Sequence, residues 1–161
     1  MASHSADIPY TIEPGAWERS AAARWVNGLI GRPWVDGAEG PYEFGCWGLV
    51  RHGLKELAGL DLPTAPIHEL VATLARRTIR KDWRAGDRLS HLAICLMGRS
   101  NLPHHVGLGL MLDGGIVAHA IEGNGVITSS LLELRVMGFQ RLRWLVYQPP
   151  SGGAMAAEAA A

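Results

Sequence analysis

The hydrophobic period of this chain changes once, and that change limits the folds open to it. Up to about residue 79 apolar residues recur three and four apart, as on one face of a helix. From Trp83 onward they fall in short runs of strand length. Glu13-Pro14 followed by Trp17, Ala21, Trp25 and Leu29 predicts a helix from about 15 to 29 with a proline and an acid at its entry. Leu49, Val50, Leu54, Leu57 and Leu60 form a second stripe that begins at Cys46 and stops at Asp61-Leu62-Pro63. A third helix is predicted from Ile67 to Ile79, with Arg76, Arg77, Arg80 and Lys81 at its C-terminal end, where cations suit the helix dipole. The later runs are Leu92 to Met97, Val106 to Leu112, Ile116 to Ile121 and Leu142 to Tyr147. Asp113-Gly114-Gly115 between two of them is a hairpin signal. Helices first and an antiparallel sheet second is an α+β order.

At 161 residues, 48% of them apolar, the chain suits one domain with an ordinary core. The reading is a flexible N-terminus over 1–12, a single domain over 13–148, and a disordered Ala/Gly-rich tail over 149–161. Fifteen basic and fifteen acidic residues balance, so no global field draws the molecule to nucleic acid or to a membrane surface. No apolar run reaches the roughly 18 residues that span a bilayer, and Met1 to Pro14 lacks the pattern of a secretion signal. The expectation is a protein made in the cytoplasm and not exported by that route. Two cysteines, Cys46 and Cys95, are too few for a disulfide scaffold and leave pairing open.

Cys46 lies in the first turn of its helix, after the long, aperiodic, glycine-rich loop Gly31 to Gly45. Unpaired backbone N–H groups there favour a thiolate, so a lowered pKa is expected. His105 is the candidate base. In its run Val106, Leu108, Leu110 and Leu112 share one face, while His105, Gly107 and Gly109 share the other. That bare face offers room for the Cys46 helix. His119, among Val117 and Ile121 on the next strand, is the candidate to orient the His105 ring, with Glu122 and Asn124 as alternatives. His104 alternates to the opposite face and reads as a loop or solvent histidine. Cys95, between Ile94 and Leu96, reads as core, as do Trp17, Trp25 and Trp144. Trp34 and Trp47 flank Cys46 and suit either core packing or a substrate groove. Seven histidines and two cysteines show none of the short spacings of a zinc site, and Gly37-Ala38-Glu39-Gly40 lacks the lysine and helix of a phosphate loop. Neither a metal nor another cofactor is expected.

Gly31-Arg32-Pro33-Trp34, Phe44-Gly45-Cys46-Trp47-Gly48-Leu49-Val50, Gly86-Asp87, His105-Val106-Gly107 and Val117-Ala118-His119-Ala120 occur in this order. Over roughly residues 15 to 148 this series resembles the NlpC/p60 family of cell-wall cysteine peptidases. The resemblance implies a reduced papain-like α+β fold, helices packed on a central antiparallel sheet. It implies cleavage of the D-glutamyl to diamino-acid bond in peptidoglycan stem peptides, with Cys46 as nucleophile, His105 as base and His119 as orienting residue. The Cys-Trp-Gly-Leu-Val form and the small size resemble the branch found in phage tails and prophage-like particles, which implies tail or baseplate partners. Two positions depart from the family. Gly45 stands where aspartate is common before the nucleophile, and Trp34 stands where a tyrosine hydroxyl is thought to serve the oxyanion site. Tyr42 is the nearby hydroxyl that would replace it. These departures keep open a structural tail component with the same fold and little activity, and the resemblance itself keeps open an acyltransferase, since related folds transfer acyl groups to acceptors other than water.

Overall fold

A computed structural model describes residues 13–64, 82–100 and 102–148. The helix predicted over 67–79 and the two terminal segments, 1–12 and 149–161, lie outside the described residues.

Helix α1, Ala16–Leu29, buries Ala22, Val26 and Leu29. Trp17 is 75% exposed, under the Arg24 guanidinium at 5.6 Å, and not in the core as its spacing suggested. A repeat of strict fours drifts by about 40° per step around a helix with 3.6 residues per turn, so Trp17, Ala21, Trp25 and Leu29 cannot all face one core. Helix α2, Cys46–Ala58, buries Leu49, Val50 and Leu54 and is closed by Gly59 at φ 66°, the left-handed conformation glycine adopts without strain.

One antiparallel sheet of six strands follows, among the described residues. The strands are β1 Trp83–Gly86, β2 Ile94–Gly98, β3 His105–Leu110, β4 Ile116–Ile121, β5 Gly125–Ser129 and β6 Arg141–Tyr147, in the order β1-β6-β2-β3-β4-β5. A short helix, α3, Leu131–Val136, sits between β5 and β6. Asp113, Gly114 and Gly115 all take positive φ and make the β3–β4 hairpin the sequence predicted.

Each face of the sheet carries its own core. Ile94, Leu96, Val106, Leu108, Ala118 and Val126 pack against α1 and α2. Cys95, Met97, Val117 and Trp144 pack on the other side against Leu134 of α3 and Phe139. Helix α2 therefore lies on the Val106/Leu108 face, and not on the glycine face of β3 as the sequence suggested. A Cβ on Gly53 would stand 2.6 Å from Leu108 Cδ2, which shows how close that contact is. Valine and leucine offer apolar area that stabilises by about 25 cal/mol per Å² when covered, and glycine offers none. The bare face does admit a backbone, but a different one: a Cβ on Gly109 would lie 2.7 Å from the Ser90 carbonyl.

The long loop 31–45 is folded onto this frame. Phe44, fully buried, donates its N–H to the Pro33 carbonyl, and Gly45 donates to Ala38. Reciprocal bonds, Gly31 N–H to Val126 and Val126 N–H to Arg32, tie the start of the loop to β5. Arg51 of α2 holds Glu39 at 2.6 Å.

Candidate active site

Cys46 is the first residue of α2. Its N-cap, Gly45, is extended at φ −81° and makes no side-chain cap, so the first-turn N–H groups are not taken up by a capping side chain. Burial raises the thiol pKa. Backbone hydrogen bonding at Val106, Trp47 and Cys46 itself pulls the other way and does not overcome it, and Asp36 adds to the rise. The expected lowering is thus reversed: desolvation of the thiolate outweighs the helix terminus.

The contact with Val106 is possible because β3 and β4 part at this point. Their ladder runs from Leu110↔Ile116 through Leu108↔Ala118 and is not continued to Val106 or His105. In the open end, Cys46 approaches from the helix face while His105 and His119 point to the other face. The two imidazoles close the gap with a hydrogen bond of 2.9 Å between His105 Nε2 and His119 Nδ1. His119 continues through Nε2 to Ser129 Oγ at 2.8 Å. The His105 ring is stacked on Phe139, with centroids 5.2 Å apart and planes 14° apart.

Burial, aided by the neighbouring His119 and His104, lowers the His105 pKa to about 3, and burial lowers that of His119 to about 4. Both rings are neutral at pH 7. With Nε2 of His105 engaged, only Nδ1 remains to take a proton, and no hydrogen bond occupies it among the described residues. No buried side-chain nitrogen or oxygen lacks a partner among the described residues, and His105 as a whole is 7% exposed. Thiol and imidazole are not hydrogen-bonded to each other. What joins them is Val106, bonded to one and next in sequence to the other.

Among the other candidates, His104 is exposed and tilted against Phe139, while Glu122 and Asn124 are exposed in the β4–β5 turn. Cys95 is fully buried, and neither cysteine is in a disulfide. Trp47 is only 5% exposed, its indole N–H donating to the Pro63 carbonyl, which places it in the core and not along a groove. Trp34 is half-buried against the same core and paired with Phe44. Tyr42 is 73% exposed with Arg32 over its ring at 5.8 Å.

Gly45 has a local explanation. A Cβ there would lie 3.0 Å from the Gly37 nitrogen and 3.2 Å from the Val35 carbonyl, so the folded loop occupies the space an aspartate would need. Gly48 is tighter still, its Cβ falling 1.9 Å from the Ala38 carbonyl. Two residues of the site went unread in the sequence, Ser129 and Phe139. Val126-Ile127-Thr128 carried a strand signal that would have put Ser129 beside β4, whereas nothing local marks Phe139. No group of three His, Cys, Asp or Glu side chains is placed to hold a metal ion among the described residues. None of the described helices is long and apolar enough to cross a membrane.

No protein-family model matches the chain, and no curated protein matches its sequence. Solved structures do match. The NlpC/p60 domain of the peptidoglycan hydrolase SagA aligns with a TM-score of 0.54 at 20% identity, over 79% of this chain and 96% of that one. NlpC1 from Trichomonas vaginalis aligns with a TM-score of 0.51 at 19% identity, over 86% of this chain and 46% of that one. An NLP/P60-family protein similar to lipoprotein, from Staphylococcus aureus Mu50, aligns at 0.52 and 18% identity, over 83% of this chain and 43% of that one. The chain spans under half the length of the latter two. At these identities the likeness shows the fold, an α+β arrangement of the NlpC/p60 type.

Proposed function

We propose that the protein is a cysteine peptidase of the NlpC/p60 family that hydrolyses peptidoglycan stem peptides at the D-glutamyl to diamino-acid bond. The observation that carries the reading is the thiol at an uncapped helix start beside Val106, with the His105–His119 pair bridging the parted strands. Cys46 attacks the peptide carbonyl carbon as its S–H proton passes to His105 Nδ1. The Cys46 backbone N–H faces the developing oxyanion. His105 then delivers the proton to the leaving amine, and water releases the acyl-enzyme. Because both histidines are neutral and the thiol is protonated at rest, proton transfer accompanies attack and no preformed ion pair is needed. The resemblance of Cys46-Trp47-Gly48-Leu49-Val50 to phage-tail members supports a place in a phage or phage-like tail, acting on the wall during penetration.

Purified peptidoglycan incubated with wild type, Cys46→Ala and His105→Ala, with fragments identified by mass spectrometry, tests the activity. Stem-peptide fragments from wild type alone are expected. Equal release by Cys46→Ala, or none from any wall tried, overturns the proposal. A second reading, a tail-assembly component with little activity, is favoured by the buried thiol and the missing Cys46–His105 hydrogen bond. It predicts wall-fragment release by wild type no greater than by Cys46→Ala, whereas release by wild type alone speaks against it.

A further inference from the structure

We propose that Ser129 is a positioning residue of this site: its hydroxyl accepts a hydrogen bond from His119 Nε2–H and thereby fixes the tautomers of both histidines, leaving His105 Nδ1 unprotonated for the Cys46 thiol. The inference rests on the cysteine-nucleophile reading above, and it concerns a residue outside the three that the family resemblance identifies.

A neutral imidazole carries one N–H, so a line of two such rings has only two internally consistent arrangements. In the first, Ser129 accepts from His119 Nε2–H, His119 Nδ1 accepts from His105 Nε2–H, and the lone pair of His105 lies on Nδ1. In the second, Ser129 donates to His119 Nε2, His119 Nδ1–H donates to His105 Nε2, and the His105 proton occupies Nδ1. Only the first can take a proton from the thiol. The distances fit both, 2.9 Å between the rings and 2.8 Å from His119 to Ser129. The hydroxyl proton decides between them. Ser129 Oγ has a second neighbour, Met137 Sδ at 3.8 Å, an acceptor within reach of its proton. A hydroxyl has one proton, so donation to Met137 obliges Ser129 to accept from His119. Thioether sulfur is a weak acceptor, but the first arrangement makes this extra bond and the second does not.

The surroundings make the choice matter. His119 is fully buried and Ser129 is 2% exposed, so bulk solvent does not reach either group. The register pairs Ser129 with Val117, which puts its side chain on the same face as His119, one step diagonal to it. Ser130, directly after it, is the N-cap of α3 and forms a capping box with Glu133; Met137 is the C-cap of the same helix. Both neighbours that hold the hydroxyl in place thus belong to one short rigid piece. During turnover the proton from sulfur makes His105 an imidazolium, with Nε2–H still donating to His119 Nδ1. The proton leaves again from Nδ1 to the departing amine, so the relay returns to its starting arrangement.

The test compares full-length wild type, Ser129→Ala, Ser129→Thr and Met137→Leu. Imidazole ¹⁵N shifts report which nitrogen of each ring bears the proton, and iodoacetamide alkylation of Cys46 reports the base, with Cys95 shielded in the core. Wild type is expected to carry the proton on Nε2 of both rings. Ser129→Ala is expected to move the His119 proton to Nδ1, slow alkylation by about 10- to 100-fold, and lower kcat on wall fragments by a similar factor with KM unchanged. Ser129→Thr keeps the oxygen and is expected to stay within about 3-fold of wild type. Met137→Leu, close to volume-neutral, removes the competing acceptor and is expected to slow alkylation by about 2- to 5-fold; it serves where Ser129→Ala does not fold. Unchanged tautomers and alkylation in Ser129→Ala, or in Met137→Leu should the alanine variant not fold, overturn the proposal. So does a wild-type His105 protonated on Nδ1. Because shifts and alkylation need no wall substrate, a wild type that cleaves nothing while these responses hold defeats the peptidase reading and leaves the relay standing.

Discussion

Cys46 lies where two influences on a thiol oppose each other, and desolvation is the larger. The alkylation rate of wild type, and kcat/KM on wall fragments, are therefore expected to keep rising with pH through and above ~8.5, the ordinary thiol value. A plateau from pH 6 upward would show a thiolate already formed. The glycines around the cysteine make a second prediction. Gly48→Ala places a methyl 1.9 Å from the Ala38 carbonyl, and Gly45→Asp presses on backbone at 3.0 and 3.2 Å. Each is expected to lower unfolding free energy by about 1–3 kcal/mol in urea titrations, as overpacking does. A gain in stability for Gly45→Asp would mean the loop has another position available. Cys46 at a helix start and the His105–His119 pair on neighbouring strands were legible as residue types at particular spacings. The occupied space at Gly45 was not, since it is created by Val35 and Gly37 folding back across the helix start, a contact with no local trace in the sequence.

Helix α3 shows how a small element can govern the site. It has only six residues, yet its N-cap adjoins Ser129, its C-cap is Met137 and the chain leaving it carries Phe139 under His105. Ser130→Ala removes the capping box and is expected to cost about 1 kcal/mol. It is also expected to reduce alkylation of Cys46 more than a surface change of equal cost elsewhere, as side-by-side urea and iodoacetamide measurements would show. The sequence contained this box as Ser130-x-x-Glu133, but a helix of so few residues has too short a period to be recognised. Longer elements were plain: α2 and the β3–β4 hairpin were predicted within a residue or two. Helix α2 packs on the apolar face of Val106 and Leu108 and not, as the bare glycines suggest, on the other. Alternation identifies the two faces of a strand but does not say which neighbour each will meet.

Taken whole, the fold keeps three histidines uncharged and buried among the described residues. Burial lowers His91 and His119 to about 4 and His105 to about 3, against 6.5 for the free side chain. The unfolded chain binds these protons at a higher pH than the folded one, so stability is complete above pH 6.5 and is lost as pH falls toward 4 and 3. Thermal denaturation is expected to show Tm dropping by roughly 10 °C between pH 7 and pH 5. A Tm flat over that interval would place these rings in contact with water. Two apolar layers, one on each face of the sheet, account for the burial of His105 and His119.

The parted end of β3 and β4 has a mechanical meaning as well. Beyond Leu108↔Ala118 the backbone ladder stops, and the fastening there is a bond between two side chains. The histidine pair proposed to ready the base is therefore also the clasp of the seam. In His119→Ala the amide of Val106, on the β4 side of β3, is expected to exchange with deuterium faster, while those of Leu108 and Leu110 stay protected. Equal protection along the whole strand would mean the seam is held by something other than its histidines.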